Sequence, residues 1–195
     1  MRLFRVSFTG ELGFEVNVPA DFGAAVWERV WAAGRVHGIT PYGTEAMHVL
    51  RAEKGYIIVG QDTDGTVTPD DAGLSWAIGR NKTDFVGKRS LQRPAMQSAD
   101  RRQLVGLLTT DPARVLEEGS QVLAQADAPV PARPLGHVTS SYHSAALGRS
   151  IAMALVAGGR SRMGQTLYVP IEGGVATAQV ASPVFYDPKG ARLNA

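Results

Sequence analysis

The sequence predicts an α+β fold, in which a mixed helical and stranded first half is followed by a small C-terminal antiparallel β-barrel. Three observations carry this. From Leu3 to Phe8 apolar and polar residues alternate, the period of a half-buried strand. From Phe22 to Gly34 apolar residues recur at helical spacing, the pattern of an amphipathic helix. Beyond residue 100 the chain breaks into short strand-like runs parted by Gly, Pro and Asp turns, the texture of a small sandwich or barrel.

Taken in order, Leu3–Phe8 is a strand and Phe14–Val18 its hairpin partner. Pro19-Ala-Asp21 supplies a helix start with Asp21 as the expected N-cap. Phe22, Val26 and Val30, with Trp27 and Trp31, define the first helix. Both tryptophans are expected in the core, because aromatics at helical spacing usually face one. After the turn-rich His37–Gly43, Thr44 can cap a second helix over 45–54, stopped by Gly55. A short apolar run, Tyr56–Val59, and a polar loop, Gln61–Asp71, follow. Gln92–Arg102 is polar and weakly periodic, which marks a linker or domain boundary near residue 100; the chain is divided into residues 1–95, the α+β part, and 96–195, the barrel. Strands are expected at 103–108, 120–123, 135–140, 150–156, 166–170 and 175–180.

Composition narrows the function. With 44% hydrophobic and 19% charged residues, the chain of 195 residues can bury an ordinary globular core. Lys+Arg 20 against Asp+Glu 18 leaves a formal charge of +2, and no basic block interleaves with aromatics, so nucleic-acid binding is not expected. The absence of cysteine excludes disulfides, zinc–thiolate sites and a cysteine nucleophile. No apolar run approaches the ~20 residues that span a bilayer, and the N-terminus alternates rather than forming a signal peptide's apolar block. A cytoplasmic protein that engages no membrane is the expectation. A strand that begins at residue 2 also needs a pairing partner. The chain reads as a piece of a larger protein, against the alternative of an edge strand in a complete domain.

Most common chemistries find no motif here. His37, His48, His137 and His143 lack the spacing of an H-E-x-x-H site, and no G-x-S-x-G elbow marks a serine nucleophile. Asp62-x-Asp64-Gly65 lacks the remaining ligands of a calcium loop and reads as a solvated turn. Ala157-Gly-Gly-Arg-Ser161 lacks phosphate-loop spacing and reads as a β-turn. Phe8-Thr-Gly-Glu-Leu-Gly-Phe-Glu-Val16 remains, with two glycines and two carboxylates in a stretch that otherwise reads as strand. On a strand, Glu11, Gly13 and Glu15 share a face, and the missing side chain at Gly13 leaves a notch between the carboxylates. A glutamate there can grip an N–H/NH₂ edge through two parallel hydrogen bonds.

Thr9-Gly-Glu-Leu-Gly-Phe-Glu15 resembles the T-G-E-x-G-x-E signature of the folate-binding aminomethyltransferase family. That family includes the glycine cleavage T-protein, dimethylglycine and sarcosine dehydrogenases and the α subunit of heterotetrameric sarcosine oxidase. Leu50-Arg-Ala-Glu-Lys-Gly-Tyr56 is similar to its L-R-x-E-x-G segment. Gly60-Gln-Asp62, Thr68-Pro69, Leu74-Ser-Trp76 and Asp84-Phe-Val-Gly-Lys88 continue the likeness in order. Gly136-His-Val-Thr-Ser140 and Ile151-Ala-Met-Ala-Leu155 extend it into the barrel. Gly38-Ile-Thr-Pro-Tyr-Gly43, Glu53-Lys-Gly-Tyr56 and Ser182-Pro-Val-Phe-Tyr-Asp-Pro188 resemble the sarcosine oxidase α branch in particular.

The resemblance implies that Glu15 holds the pteridine of tetrahydrofolate, that Thr9, Gly10 and Glu11 shape the turn beside it, and that Tyr56 belongs to the cofactor site. It implies the other sarcosine oxidase subunits as partners and folate as the small molecule, with FAD or FMN and NAD carried by regions or subunits outside this chain. There are two departures. Met47 stands where T-proteins carry a folate-contacting arginine, and a thioether replaces neither the charge nor the donors of a guanidinium. The family's catalytic aspartate belongs to a part of the fold absent from this sequence, so no catalytic residue is assigned.

Overall fold

The computed structural model describes residues 1–79 and 81–194. A two-stranded hairpin, β1 (Arg2–Arg5) with β2 (Phe14–Asn17), precedes two helices, α1 (Gly23–Gly34) and α2 (Thr44–Glu53), and two single-turn helices, α3 (Lys88–Leu91) and α4 (Pro94–Gln97). Six strands follow: β3 (Arg102–Thr109), β4 (Gln121–Val122), β5 (Gly136–Ser144), β6 (Arg149–Ala157), β7 (Thr166–Ile171) and β8 (Gly174–Ala181). Their order is β4-β5-β6-β3-β8-β7. Leu123 and Tyr168 exchange both backbone hydrogen bonds, at 2.7 and 3.0 Å, joining the two ends of the sheet. This bridge closes the sheet into a barrel.

The barrel fills itself with small and branched side chains. Val105, Leu107, Val122, Val138, Ala154, Leu167, Val169, Ala178 and Val180 form one buried cluster. Strand β6 buries both of its faces. Ala152, Ala154 and Val156 point into the barrel, whereas Ile151, Met153 and Leu155 pack with Ala52 of α2 in a second cluster. This explains why β6 reads as a continuous apolar run rather than an alternation. Gly106 in β3 has a related cause: a Cβ there would lie 2.3 Å from the Ser182 carbonyl oxygen and 2.7 Å from the Phe185 ring. The Ser182–Tyr186 stretch therefore crosses the outside of β3 and ends on α2, where the Glu53 carbonyl accepts the Phe185 and Tyr186 N–H groups at 2.9 Å.

The first layer differs from its sequence reading. Helix α1 forms where expected, yet none of its residues is buried and Trp27 is 63% exposed; Trp31 is only half-buried. Neither is a core residue, because helical spacing identifies an apolar face without saying what covers it. The hairpin strands are exposed throughout. Asp21 is not the cap of α1. It lies in a 3₁₀ turn, Ala20–Phe22, and Phe22 occupies the cap position without a side-chain bond. Thr44 is likewise the first residue of α2 rather than its cap. Gly159–Arg162 forms a 3₁₀ turn with Gly158 at its cap position.

Candidate functional site

The two carboxylates of the signature part company. Strand β1 ends at Arg5 and β2 begins at Phe14, so Thr9–Gly13 is a loop and not strand. Glu11 therefore does not share a strand face with Glu15. The alternation places Glu15 directly across from Phe4, on one face of the hairpin with an aromatic neighbour, while Phe14 and Arg5 occupy the other. Both glycines are required by close approach. A Cβ on Gly13 would lie 2.7 Å from the Val6 carbonyl oxygen. Gly10 has φ +83°, which strains any other residue, and its Cβ would lie 2.8 Å from Lys54 Cγ, so a larger residue would also have to displace the lysine stem. The Gly10 N–H donates to Ser7 Oγ at 3.0 Å.

Glu11 instead accepts from Arg192 Nε at 2.6 Å, and the Leu12 N–H donates to the Arg192 carbonyl at 3.0 Å. Asp187 organises this segment. Its carboxylate accepts the Ala191 and Arg192 N–H groups at 3.0 and 3.1 Å and Lys54 Nζ at 3.1 Å. The Arg192 N–H, and after it Lys54 and the Ala191 N–H, outweigh desolvation and hold the Asp187 carboxyl below the usual range. Glu15 has no part in this network and stands exposed.

Beneath the loop, α2 is tied to the barrel by a buried ion pair. Arg51 and Asp62 are both 0% exposed and meet at 2.5 Å. Arg51 also donates to Ser140 Oγ at 2.7 Å and to the Tyr56 carbonyl at 3.1 Å. Asp62 accepts from the Thr139 and Ser140 hydroxyls at 2.6 and 2.7 Å and from the Ile58 N–H at 2.9 Å. Glu53 takes the Ser144 hydroxyl at 2.6 Å. Asp62 is thus a buried partner, not a solvated turn residue, and no metal-binding cluster occurs among the described residues. Sequence reasoning singled out the Arg51–Glu53 segment only by resemblance; its partners on β5 lie 89 to 91 positions away.

Three cavities bear on the expected site residues. Met47 lines one of about 560 Å³ with Phe14, Trp27, Trp31 and Tyr42, an apolar surrounding that a thioether suits better than a guanidinium. Tyr56 lines a groove of about 410 Å³ with Phe8, Trp76 and Pro183, apart from Glu15. His137 lies with Asp64, Thr66 and Arg102 around about 250 Å³. Burial first, then Arg102, pushes its imidazole below the ordinary value, favouring the neutral ring.

Asp71, paired with Arg101, gives a pH test. Burial alone would raise its carboxyl, but Arg101 and the Thr68 N–H and hydroxyl outweigh this and hold it low. The folded state therefore binds this proton less readily than the unfolded chain. The contribution is complete above the unfolded value of about 3.9 and is lost as pH falls through the folded one. Asp71→Asn is expected to lower the urea midpoint at pH 7, with the gap to wild type shrinking by pH 3.

The fold and loop define a class. The GCVT N-terminal domain matches residues 1–82 and the glycine cleavage T-protein C-terminal barrel domain matches 102–187; the chain belongs to this family. Within it, the chain is 52% identical over 193 residues to sarcosine oxidase subunit alpha of Corynebacterium sp. (strain U-96), covering 98% of this chain and 20% of that one. The Rhizobium meliloti (strain 1021) subunit alpha is 42% identical over 194 residues, again 98% of this chain and 20% of that one. The aminomethyltransferase of Thermosynechococcus vestitus is 36% identical over 182 residues, covering 93% of this chain and 46% of that one. The crystal structure of the glycine cleavage system aminomethyltransferase T from Bartonella henselae superposes with a TM-score of 0.81 at 25% identity, over 95% of this chain and 50% of that chain. The chain thus spans about a fifth of the sarcosine oxidase subunits and about half of the aminomethyltransferases. No described helix is long and apolar enough to cross a membrane.

Proposed function

We propose that this chain is the tetrahydrofolate-binding region of a sarcosine oxidase α-subunit-like protein, serving capture of the one-carbon unit of oxidised sarcosine as 5,10-methylenetetrahydrofolate. The observation that carries this is the separation of the two signature glutamates: Glu11 is taken up by Arg192, whereas Glu15 stands exposed beside Phe4. A free carboxylate next to an aromatic ring fits the edge and face of a pterin. The pterin end of the cofactor is thereby matched by residues present. Met47, in its apolar cavity, gives an anionic tail no cation. When bound, tetrahydrofolate supplies the N5 and N10 nitrogens that take up the carbon. The chain's own part is orientation: Glu15 fixes the ring edge, and the Thr9–Gly13 loop fixes Glu15.

In this reading residues 1–95 serve the folate and 96–195 form the supporting barrel, in the cytoplasm and in company with other subunits. Flavin and nicotinamide chemistry belong elsewhere in the assembly. The second reading is a stand-alone aminomethyltransferase, favoured by the fold shared with the Bartonella henselae enzyme; the higher identity to the oxidase subunits weighs against it. A third, a non-catalytic assembly module, draws on the exposed apolar side chains of Phe4, Phe14, Trp27 and Tyr42.

Folinic acid is expected to give the 195-residue chain a small thermal shift, because much of each relative lies outside the matched region. Glu15→Gln should remove that shift. A shift of equal size in wild type and Glu15→Gln sinks the site.

A further inference from the structure

Among the described residues, the long-range hydrogen bonds of the Thr9–Gly13 loop go to Arg192, in the segment 187–194, and the lysine that segment captures packs against Gly10. The Arg192 carbonyl takes the Leu12 N–H at 3.0 Å, its guanidinium takes Glu11 at 2.6 Å, and the Leu193 carbonyl takes Arg5 Nη2 at 3.1 Å. Lys54, at the end of α2, passes its stem under Gly10 and puts its ammonium on Asp187. A closed circuit therefore runs Gly10–Lys54–Asp187–Arg192–Glu11, with the signature loop inside it. Asp187 has φ +44° and is the only non-glycine at positive φ among the described residues. A residue keeps that conformation when its surroundings fix it, and here the fixing groups are Lys54 and the two N–H groups at 191 and 192. Phe185 and Tyr186 anchor the segment to the Glu53 carbonyl, and Arg192 lies over the Tyr186 ring at 5.8 Å.

We propose that Arg192 is a positioning residue for folate binding: with Asp187 it clamps the signature loop through Glu11 and Leu12, and so sets where β2 presents Glu15. The inference rests on the reading of Glu15 as pterin anchor. It gives Glu11 a different task from Glu15 within one motif. Arg192 meets Glu11 across 181 positions, so the signature functions only with the segment that follows the barrel.

The geometry makes the effect one of placement rather than of stability. Arg192 and Glu11 are 53% and 38% exposed, and ion pairs that open to water add little to folding. The loop's two rigid turns are set by Gly10 and Gly13, so losing the clamp frees the loop without unfolding its neighbours. The pair acts as one unit, which is what separates it from an arginine that meets the ligand itself.

The test is an NMR titration of the 195-residue chain with 5-formyltetrahydrofolate, with urea midpoints measured alongside. Arg192→Ala and Glu11→Gln are each expected to weaken binding about tenfold and to leave the urea midpoint in place. The double variant should be no weaker than either single one, and the Leu12 amide should exchange faster in all three. Arg192→Lys, which keeps the pair with Glu11, should retain most of the affinity. If Arg192→Ala binds as wild type while Glu15→Gln does not, the clamp is refuted and the pterin site stands. If Arg192→Ala weakens binding and Glu11→Gln does not, Arg192 meets the ligand directly and the clamp is again refuted. If 5-formyltetrahydrofolate does not bind, or binds equally to wild type and Glu15→Gln, the folate reading fails and the clamp's function with it.

Discussion

Asp62→Ala is expected to destabilise the protein by about 3–5 kcal/mol, the range seen when one partner of a buried ion pair is removed. Arg51 is fully buried, so without Asp62 its charge stays inside with only hydroxyls and a carbonyl around it. Its Nε has no hydrogen-bond partner among the described residues even with Asp62 present. The truncation also strips an acceptor from the Thr139 and Ser140 hydroxyls and the Ile58 N–H, and unsatisfied buried donors add their own cost. Urea unfolding at pH 7 reads the loss. The paired change Arg51→Met with Asp62→Leu should recover much of it, because an apolar pair leaves no buried charge. A cost below about 1 kcal/mol for Asp62→Ala would mean that water reaches the pair. The pair joins α2 to β5, so its loss should loosen the layer that carries Lys54 and, through it, the signature loop.

Gly136→Ala is the second large effect. A Cβ at Gly136 would sit 1.7 Å from the Leu155 carbonyl oxygen and 2.8 Å from its carbon, separations no side chain tolerates. Gly136 opens β5 and pairs with Val156 of β6, between two strands that cannot part without opening the barrel. Overpacking usually costs about 1–3 kcal/mol. Here the obstacle is the backbone of the paired strand β6, which has no rotamer to yield, so the upper end of that range or beyond is expected. A thermal melt of Gly136→Ala checks this. Gly148→Ala is the comparison, since a Cβ there would meet nothing within 4 Å and only the φ of +62° would oppose it. Gly136→Ala should melt well below Gly148→Ala.

The barrel was readable from the sequence because its strands are short and each is bounded by Gly, Pro or Asp. All six lie within a few residues of their expected limits, the largest difference being β5, which runs on to Ser144 past a register shift between Val138 and Ser140. The first layer was read less well. Spacing found α1 but put Trp27 and Trp31 in a core, since periodicity reports an apolar face and not its cover. Asp-x-Asp-Gly composition favours solvent and nothing local announces Arg51, so the sequence alone reads Asp62 as a turn residue although it is buried. The same limit applies to Glu11. Its partner follows the whole barrel, and the T-G-E-x-G-x-E pattern alone cannot say which glutamate is taken. Glu15 could be ranked first by resemblance; its freedom, with Glu11 occupied, is visible only in the folded chain.

A crystal structure of the protein with 5-formyltetrahydrofolate decides where the pterin sits. The proposal requires both Glu15 carboxylate oxygens within about 2.7–3.1 Å of the pterin amino group and adjacent ring N–H, with Glu11 still on Arg192. A pterin lodged instead among Trp27, Trp31 and Tyr42, or between Phe8, Tyr56 and Trp76, with Glu15 free, would contradict it.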